Sequence, residues 1–283
     1  MQHTQPLRRA AAGSAVAATI LLLALPTLAQ QSTAPQATPA ALGPAVTAAP
    51  APKCVVTPDV ARFDLLPRMA LRVTGGLPVK IVAIGSSSTY GAGASTPAGS
   101  YPSRLEAELK LHFPGHELTV INRGVNGEEA ADMLARFEAG VIAENPHLVI
   151  WQVGTNSLLR DRPLDPRGVV LHEGLERLKA TRTDVVLMDP QYAPRVLAKG
   201  DREAVVEQIA QIAKEEKVGL LRRYAMMQHW YETEKLPFEA FVTADGLHMN
   251  DWGYSCLAKS LGSAIADAVN RPTETAAAPR ATR

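Results

Sequence analysis

The chain has 283 residues, with 29 Lys and Arg against 28 Asp and Glu for a formal net charge of +1, and two cysteines. Near-neutrality without a basic cluster excludes the electrostatic footprint of a nucleic-acid binder, and the length allows one large or two small domains. After the first segment no stretch is long and apolar enough to cross a bilayer, so the mature chain is expected to make no stable membrane insertion.

Residues 1–29 read as a secretory leader. Arg8 and Arg9 precede an apolar stretch from about Ala15 to Leu25, and Thr27-Leu28-Ala29 supplies the small residues of a processing site. Cleavage after Ala29 and export, to the periplasm or out of the cell, are the expectation; an uncleaved anchor is the alternative that Pro26 and the small residues oppose. Residues 30–53 are dominated by Ala, Pro, Thr and Gln, which bury no core and predict a disordered tether. Residues 271–283 predict a disordered tail, leaving 54–270 as the folded domain. Cys54 and Cys256 lie near its two ends. In an exported protein an even pair suits a disulfide, worth about 5 kcal/mol on the chain-entropy model; two buried thiols are the other reading.

Val79 to Gly93 reads VKIVAIGSSSTYGAG. Its apolar run Ile81 to Ile84, cut off by Gly85, predicts a strand buried on both faces in a parallel sheet. Tyr101 to His112, with Leu105, Leu109 and Leu111 among charges, predicts a helix ended by Pro114-Gly115. Leu118 to Ile121 is a second strand, ending in Asn122-Arg123-Gly124. Glu128 to Val141 is a helix, and Leu148 to Val153 a third strand ending in Gly154-Thr155-Asn156. Gly168 to Thr181 is helical, Val185 to Met188 a fourth strand, Glu203 to Glu216 helical, Val218 to Leu221 a fifth strand, and about Gly253 to Val269 a last helix. This alternation predicts a three-layer α/β/α domain of flavodoxin-like type with a five-stranded parallel sheet, its ligand crevice along the strand carboxyl ends.

Three strand ends are polar or glycine-rich: Gly85 to Thr89, Asn122 to Gly127, and Gly154 to Asn156. A fourth polar segment, Thr243 to Asn250, precedes the last helix and holds Asp245 and His248. A hydroxyl nucleophile needs a base to take its proton and an acid to orient that base, and these segments contain all three. Taken singly, the serines fit turn and cap roles and Asp245 with His248 a helix cap beside a surface histidine.

In this order the blocks resemble the SGNH hydrolases, also called GDSL esterases and lipases. The block Gly-Asp-Ser-x-Thr-x-Gly aligns with Gly85-Ser86-Ser87-Ser88-Thr89-Tyr90-Gly91, and the resemblance implies Ser87 as nucleophile. It implies Gly124, in Asn122 to Gly127, as a backbone oxyanion donor beside the Ser87 N–H. It implies Asn156, in Gly154-Thr155-Asn156-Ser157, as a side-chain donor, with Asp245 and His248 completing the triad. Ser86 and Ser157 stand where the family usually has aspartate; neither position holds a triad or oxyanion group.

The resemblance implies an exported serine esterase acting on short-chain or acetyl O-acyl esters, with a small-molecule or carbohydrate ester as substrate. An O-acyltransferase on glycans with the same triad, and a non-catalytic glycan-binding protein on this fold, remain the alternatives. No cofactor or metal is called for, since His112, His116, His147, His172 and His229 are scattered without ligand spacing. Trp151 is expected in the core. Gln191 or Tyr192, after the fourth strand, and the segment Met226, Met227, His229, Trp230, Tyr231 are expected either to wall the site or to serve as turn and packing residues.

Overall fold

The computed structural model describes residues 52–55, 60, 63–162, 165 and 167–271. The segment expected to be a leader, most of the expected tether and the tail after Arg271 lie outside the described residues.

The first helix, α1 (Pro67–Thr74), is followed by β1 (Val79–Gly85), then by α2 (Ser87–Tyr90) and α3 (Tyr101–His112). After β2 (Leu118–Gly124) come α4 (Ala130–Ala135) and α5 (Phe137–Gly140), and after β3 (Leu148–Gln152) come α6 (Thr155–Leu159) and α7 (Val169–Ala180). Strand β4 (Asp184–Met188) leads to α8 (Pro194–Leu197) and α9 (Arg202–Glu215). Strand β5 (Gly219–Leu221) leads to α10 (Arg223–Glu232), and α11 (Asp251–Asn270) closes the domain. The sheet is five-stranded in the order β2-β1-β3-β4-β5, and every paired neighbour is parallel. Helices α1, α3 and α11 pack together on one face, and α4 and α7 pack on the other.

Both faces of the central strands are covered, so their residues are apolar in runs rather than in alternation. Ile81, Val82, Ala83 and Ile84 in β1 and Leu148, Val149, Ile150 and Trp151 in β3 are fully buried. Trp151 lies in the core as expected, edge-on to Phe137 with centroids 4.8 Å apart. In this strand order the chain leaves β1 and β3 toward opposite sides, which opens the crevice at their carboxyl ends.

Two expectations are corrected, one open alternative is decided and one helix is added. The helix expected over Glu128 to Val141 is two pieces, because Arg136 leaves helical geometry at φ −111° and ψ 11°. Its guanidinium grips the Glu128 carboxylate (2.6 Å) and the Arg123 carbonyl (2.7 Å). Leu111 faces solvent, 76% exposed, while Leu105 and Leu109 are buried. The segment Met226 to Tyr231 belongs to α10, which buries Met226, Met227 and Trp230 in the core. Finally, α1 has no signal of its own beyond Pro67 at its start. Its free N-terminal donors, the N–H groups of Arg68 and Met69, donate to the Asp184 carboxylate on β4 at 3.3 and 2.9 Å, a cap from across the fold that meets the unpaired amides of a helix start. Burial pushes the Asp184 carboxyl up to about 6, against the lowering effect of those two hydrogen bonds.

Cys54 and Cys256 form a disulfide with Cα atoms 5.4 Å apart, closing 202 positions of sequence. Together with the Trp252 Nε1–H bond to the Pro52 carbonyl, at 2.8 Å, it staples residues 52–55 to the first turns of α11. Among the described residues no helix is long and apolar enough to cross a membrane.

Candidate active site

Strand β1 ends at Gly85, and the chain turns at once into α2, whose first residue is Ser87. The turn is too tight for side chains. A Cβ at Gly85 would lie 2.1 Å from Thr89 Oγ1, and α2 is closed by Gly91 at φ +106°, a conformation that glycine adopts without strain. Ser87 is thereby held at the carboxyl edge of the sheet, 161 positions from His248, whose Nε2 lies 2.8 Å from the Ser87 Oγ.

His248 sits on a loop cinched between Val242 and Met249, which form an isolated antiparallel bridge. The Thr243 N–H donates to the His248 carbonyl at 2.8 Å, and Gly246 makes the turn at φ +67°. Asn250 follows and caps α11 by accepting from the Gly253 N–H at 3.0 Å, so the loop is fixed at both ends. Within it, Asp245 Oδ2 lies 2.5 Å from His248 Nδ1. Asp245 Oδ1 accepts from the Thr243 hydroxyl (2.7 Å) and from the N–H groups of Leu247 (2.9 Å) and His248 (3.0 Å). Burial pushes the Asp245 carboxyl up, but these hydrogen bonds outweigh it and hold the group well below the usual carboxylate range. Asp245 is therefore a fixed anion, with the imidazole between it and the serine hydroxyl.

The expected donors divide. The Ser87 N–H takes no backbone partner among the described residues. Asn156, in the first turn of α6, donates one amide hydrogen to the Glu128 carbonyl at 2.9 Å, which orients the amide and leaves its second hydrogen for another acceptor. Gly124 differs from the expectation, because its N–H donates to Asn122 Oδ1 at 2.9 Å. Glycine is needed there for another reason: a Cβ would stand 2.0 Å from the Tyr90 backbone nitrogen, where the end of β2 passes α2. Three residues on, the Gly127 N–H takes no backbone partner among the described residues. Its carbonyl accepts from Arg160 Nη2 at 2.8 Å, and Arg160 Nη1 also grips Glu129 at 2.6 Å. Helix α6 and the residue after it thus hold the 127–129 loop at two carbonyls, and Gly127 is the free amide beside Asn156.

Of the other candidates, Gln191 is buried under the Asp245–His248 loop, donating to the Leu247 carbonyl at 3.3 Å. Tyr192 stands in an aromatic cluster with Tyr224, Tyr231 and Phe238. Neither is among the residues that bound the cavity beside α2. His147 Nδ1 accepts from the Lys80 N–H and His172 pairs with Glu216. Among the described residues no cluster of His, Cys, Asp and Glu is placed to hold a metal ion. Beside α2 a cavity of about 560 Å³ is bounded by Tyr90, Gly91, Asn122, Gly124 and the segment around Ser95 to Ser103. Tyr90, one turn after Ser87, is 59% exposed at its rim.

The sequence does not single out Gln152 or Arg223 and names Thr155 only within the Gly154-Thr155-Asn156-Ser157 block; all three are buried behind the Asp245, His248 and Ser87 line. The available signal was positional: Gln152 ends β3 and Arg223 follows β5, so each is a polar residue at the carboxyl end of an apolar strand.

A family model described as Non-GDSL lipase-like matches residues 49–271. A curated relative, the acetylxylan esterase of Geobacillus stearothermophilus, is 30% identical over 117 residues, covering 38% of this chain and 52% of its own. The chain thus aligns with about half the length of that relative. Among solved structures, a two-domain esterase active on acetylated mannans, co-crystallised with mannopentaose, superposes with a TM-score of 0.59 at 21% identity, over 75% of this chain and 56% of that one. An acetylxylan esterase from Geobacillus stearothermophilus gives 0.56 at 22% identity, over 66% of this chain and 94% of that one. At such identities the likeness establishes the fold.

Proposed function

The chain belongs to the Non-GDSL lipase-like family, and from that premise we propose that it is an exported serine esterase that removes acetyl or other short acyl groups from carbohydrate. The observation that carries the reading is the unbroken line from Asp245 through His248 to Ser87, at 2.5 and 2.8 Å. The family's description agrees with Ser86 standing in place of the aspartate of the Gly-Asp-Ser block.

In this reading the Ser87 Oγ attacks the ester carbonyl while His248 Nε2 takes its proton, and the Asp245 anion stabilises the imidazolium that results. The oxyanion is met by the Ser87 N–H, the free hydrogen of Asn156 and the Gly127 N–H, with Gly127 replacing Gly124 because the Gly124 amide is spent on Asn122. His248 then protonates the departing alcohol. It next deprotonates the water that releases the acid and frees Ser87. A protein that only bound glycans would have no need of this proton path.

Carbohydrate as the alcohol is supported by the acetylxylan and acetylated-mannan esterases among the chain's likenesses. It is also supported by the cavity beside α2, which offers an exposed aromatic face at Tyr90 and the amide of Asn122. Export is supported by the leader-like residues 1–29 and by the disulfide, a bond that persists in oxidising compartments.

The test is hydrolysis of p-nitrophenyl acetate, butyrate and octanoate and of acetylated xylo- and manno-oligosaccharides, with product analysis in the presence of a glycan acceptor. Hydrolysis that falls as the acyl chain lengthens supports the reading, and transfer of the acyl group to the acceptor in place of release to water would replace it with an acyltransferase. Cell fractionation of the full-length protein tests export.

A further inference from the structure

A chain of buried polar side chains runs behind the triad and joins its two halves. At one end the Ser86 N–H and hydroxyl, next to the nucleophile, both donate to Gln152 Oε1, at 2.8 and 2.9 Å. Gln152 Nε2 reaches Thr155 Oγ1 at 3.5 Å, the longest link. The Thr155 hydroxyl donates to Gln191 Oε1 at 3.0 Å, and Gln191 Nε2 donates to the Leu247 carbonyl, next to His248, at 3.3 Å. Arg223 closes the chain from below: Nη2 donates to Gln191 Oε1 at 2.8 Å, and Nε to the Asp189 carbonyl at 2.9 Å. Gln152, Gln191 and Arg223 are each at most 1% exposed.

The polarity of this chain follows from one residue. A guanidinium has donors and no acceptor, and burial lowers Arg223 only to about 10, so it is a cation at neutral pH. Gln191 must therefore turn its oxygen toward Arg223 and its NH2 toward the Leu247 carbonyl, a choice that an amide alone leaves open. The arrangement is costly. Among the described residues Arg223 Nη1 and Asp189 Oδ2 have no hydrogen-bond partner, and an incompletely paired buried charge is unfavourable relative to an apolar core.

We propose that Arg223 and Gln191 are positioning residues for the esterase reaction, with the guanidinium fixing the Gln191 amide so that it holds the Asp245–His248 loop at hydrogen-bonding distance from Ser87. Through Thr155 and Gln152 the same chain holds the turn that carries the nucleophile. The inference rests on the esterase reading of the site, but its geometry is readable without turnover.

The test is Gln191→Glu, beside Thr155→Val. A glutamate keeps its partner in Arg223 and nearly the same shape, yet turns an acceptor instead of a donor toward the Leu247 carbonyl. The expected result is a folded protein with KM for p-nitrophenyl acetate unchanged and kcat lower by on the order of 10- to 100-fold, the range expected of a misplacement of about 1 Å. Thr155→Val should lower kcat several-fold, again at constant KM. The downfield NMR resonance of the His248 Nδ1–H proton should move in both variants. Folded variants with wild-type kcat and an unmoved resonance would overturn the proposal, as would a rise in KM at constant kcat. Should the wild-type protein hydrolyse no ester, the esterase reading falls, while the His248 resonance still decides whether Gln191 holds the loop.

Discussion

His248 Nε2 stands 2.8 Å from the Ser87 Oγ although 161 positions separate the two residues. Neither side chain reaches this geometry alone: Ser87 is placed by the turn after β1, and His248 by a loop cinched just before α11. In the proposed reading this contact makes the hydroxyl a nucleophile, and its loss is the most direct test of that reading.

Ser87→Ala should fold with the wild-type melting temperature and lose p-nitrophenyl acetate hydrolysis by more than about a thousandfold, since members of a triad act as a unit. Covalent labelling by a fluorophosphonate should disappear with it. Turnover retained in the folded variant would remove Ser87 from its assigned role.

Asp245→Asn should preserve the loop and reduce kcat by about ten-thousand-fold, because the neutral amide stabilises the wrong imidazole tautomer. The carboxyl is held below its usual range in the fold, so it contributes stability above the unfolded value of about 4, and that contribution is lost as the pH falls. The stability difference between wild type and Asp245→Asn, from urea denaturation, should therefore shrink below about pH 4.

The proposed oxyanion donors are separable from the packing glycine. Asn156→Ala should fold and lower kcat by about a hundred- to a thousandfold with little change in KM. Gly124→Ala should instead unfold the protein or lower its melting temperature sharply, since the added methyl meets the Tyr90 backbone at 2.0 Å. A stable Gly124→Ala enzyme with a pure kcat defect would restore Gly124 as the donor.

Asp184 predicts a pH dependence of opposite sign. Burial raises its carboxyl to about 6, so the folded state holds the proton more tightly than the unfolded chain. Stability from this group is full below about pH 4 and is lost as the pH rises through 6. Asp184→Asn keeps an acceptor for the α1 amides and should flatten this decline, read as denaturant midpoints across about pH 4 to 8. An unchanged profile would contradict the assignment.

Tyr90→Ala should leave p-nitrophenyl acetate turnover intact and raise KM for acetylated xylooligosaccharides, since in the proposed reading only a sugar substrate would reach the cavity that Tyr90 lines. Equal losses on both substrates would make Tyr90 a structural residue of α2.

Much of this protein is determined locally. The three central strands, β1, β3 and β4, each hold an apolar run ended by glycine or a polar residue, because a strand covered on both faces has no polar side to show. The same rule marks the strand ends where Ser87 and Asn156 lie, and Asp245 with His248 stands out as a polar segment before an amphipathic helix. Contacts between residues far apart are invisible to such patterns. Only the tertiary structure decided that Cys54 pairs with Cys256, that Asp184 caps α1 from another strand, and that Gly124 is a glycine for the sake of the Tyr90 backbone. It also placed Gln152, Gln191 and Arg223 in one buried chain. Periodicity records which face a residue buries, whereas hydrogen-bond partners depend on which strand ends the sheet order makes neighbours.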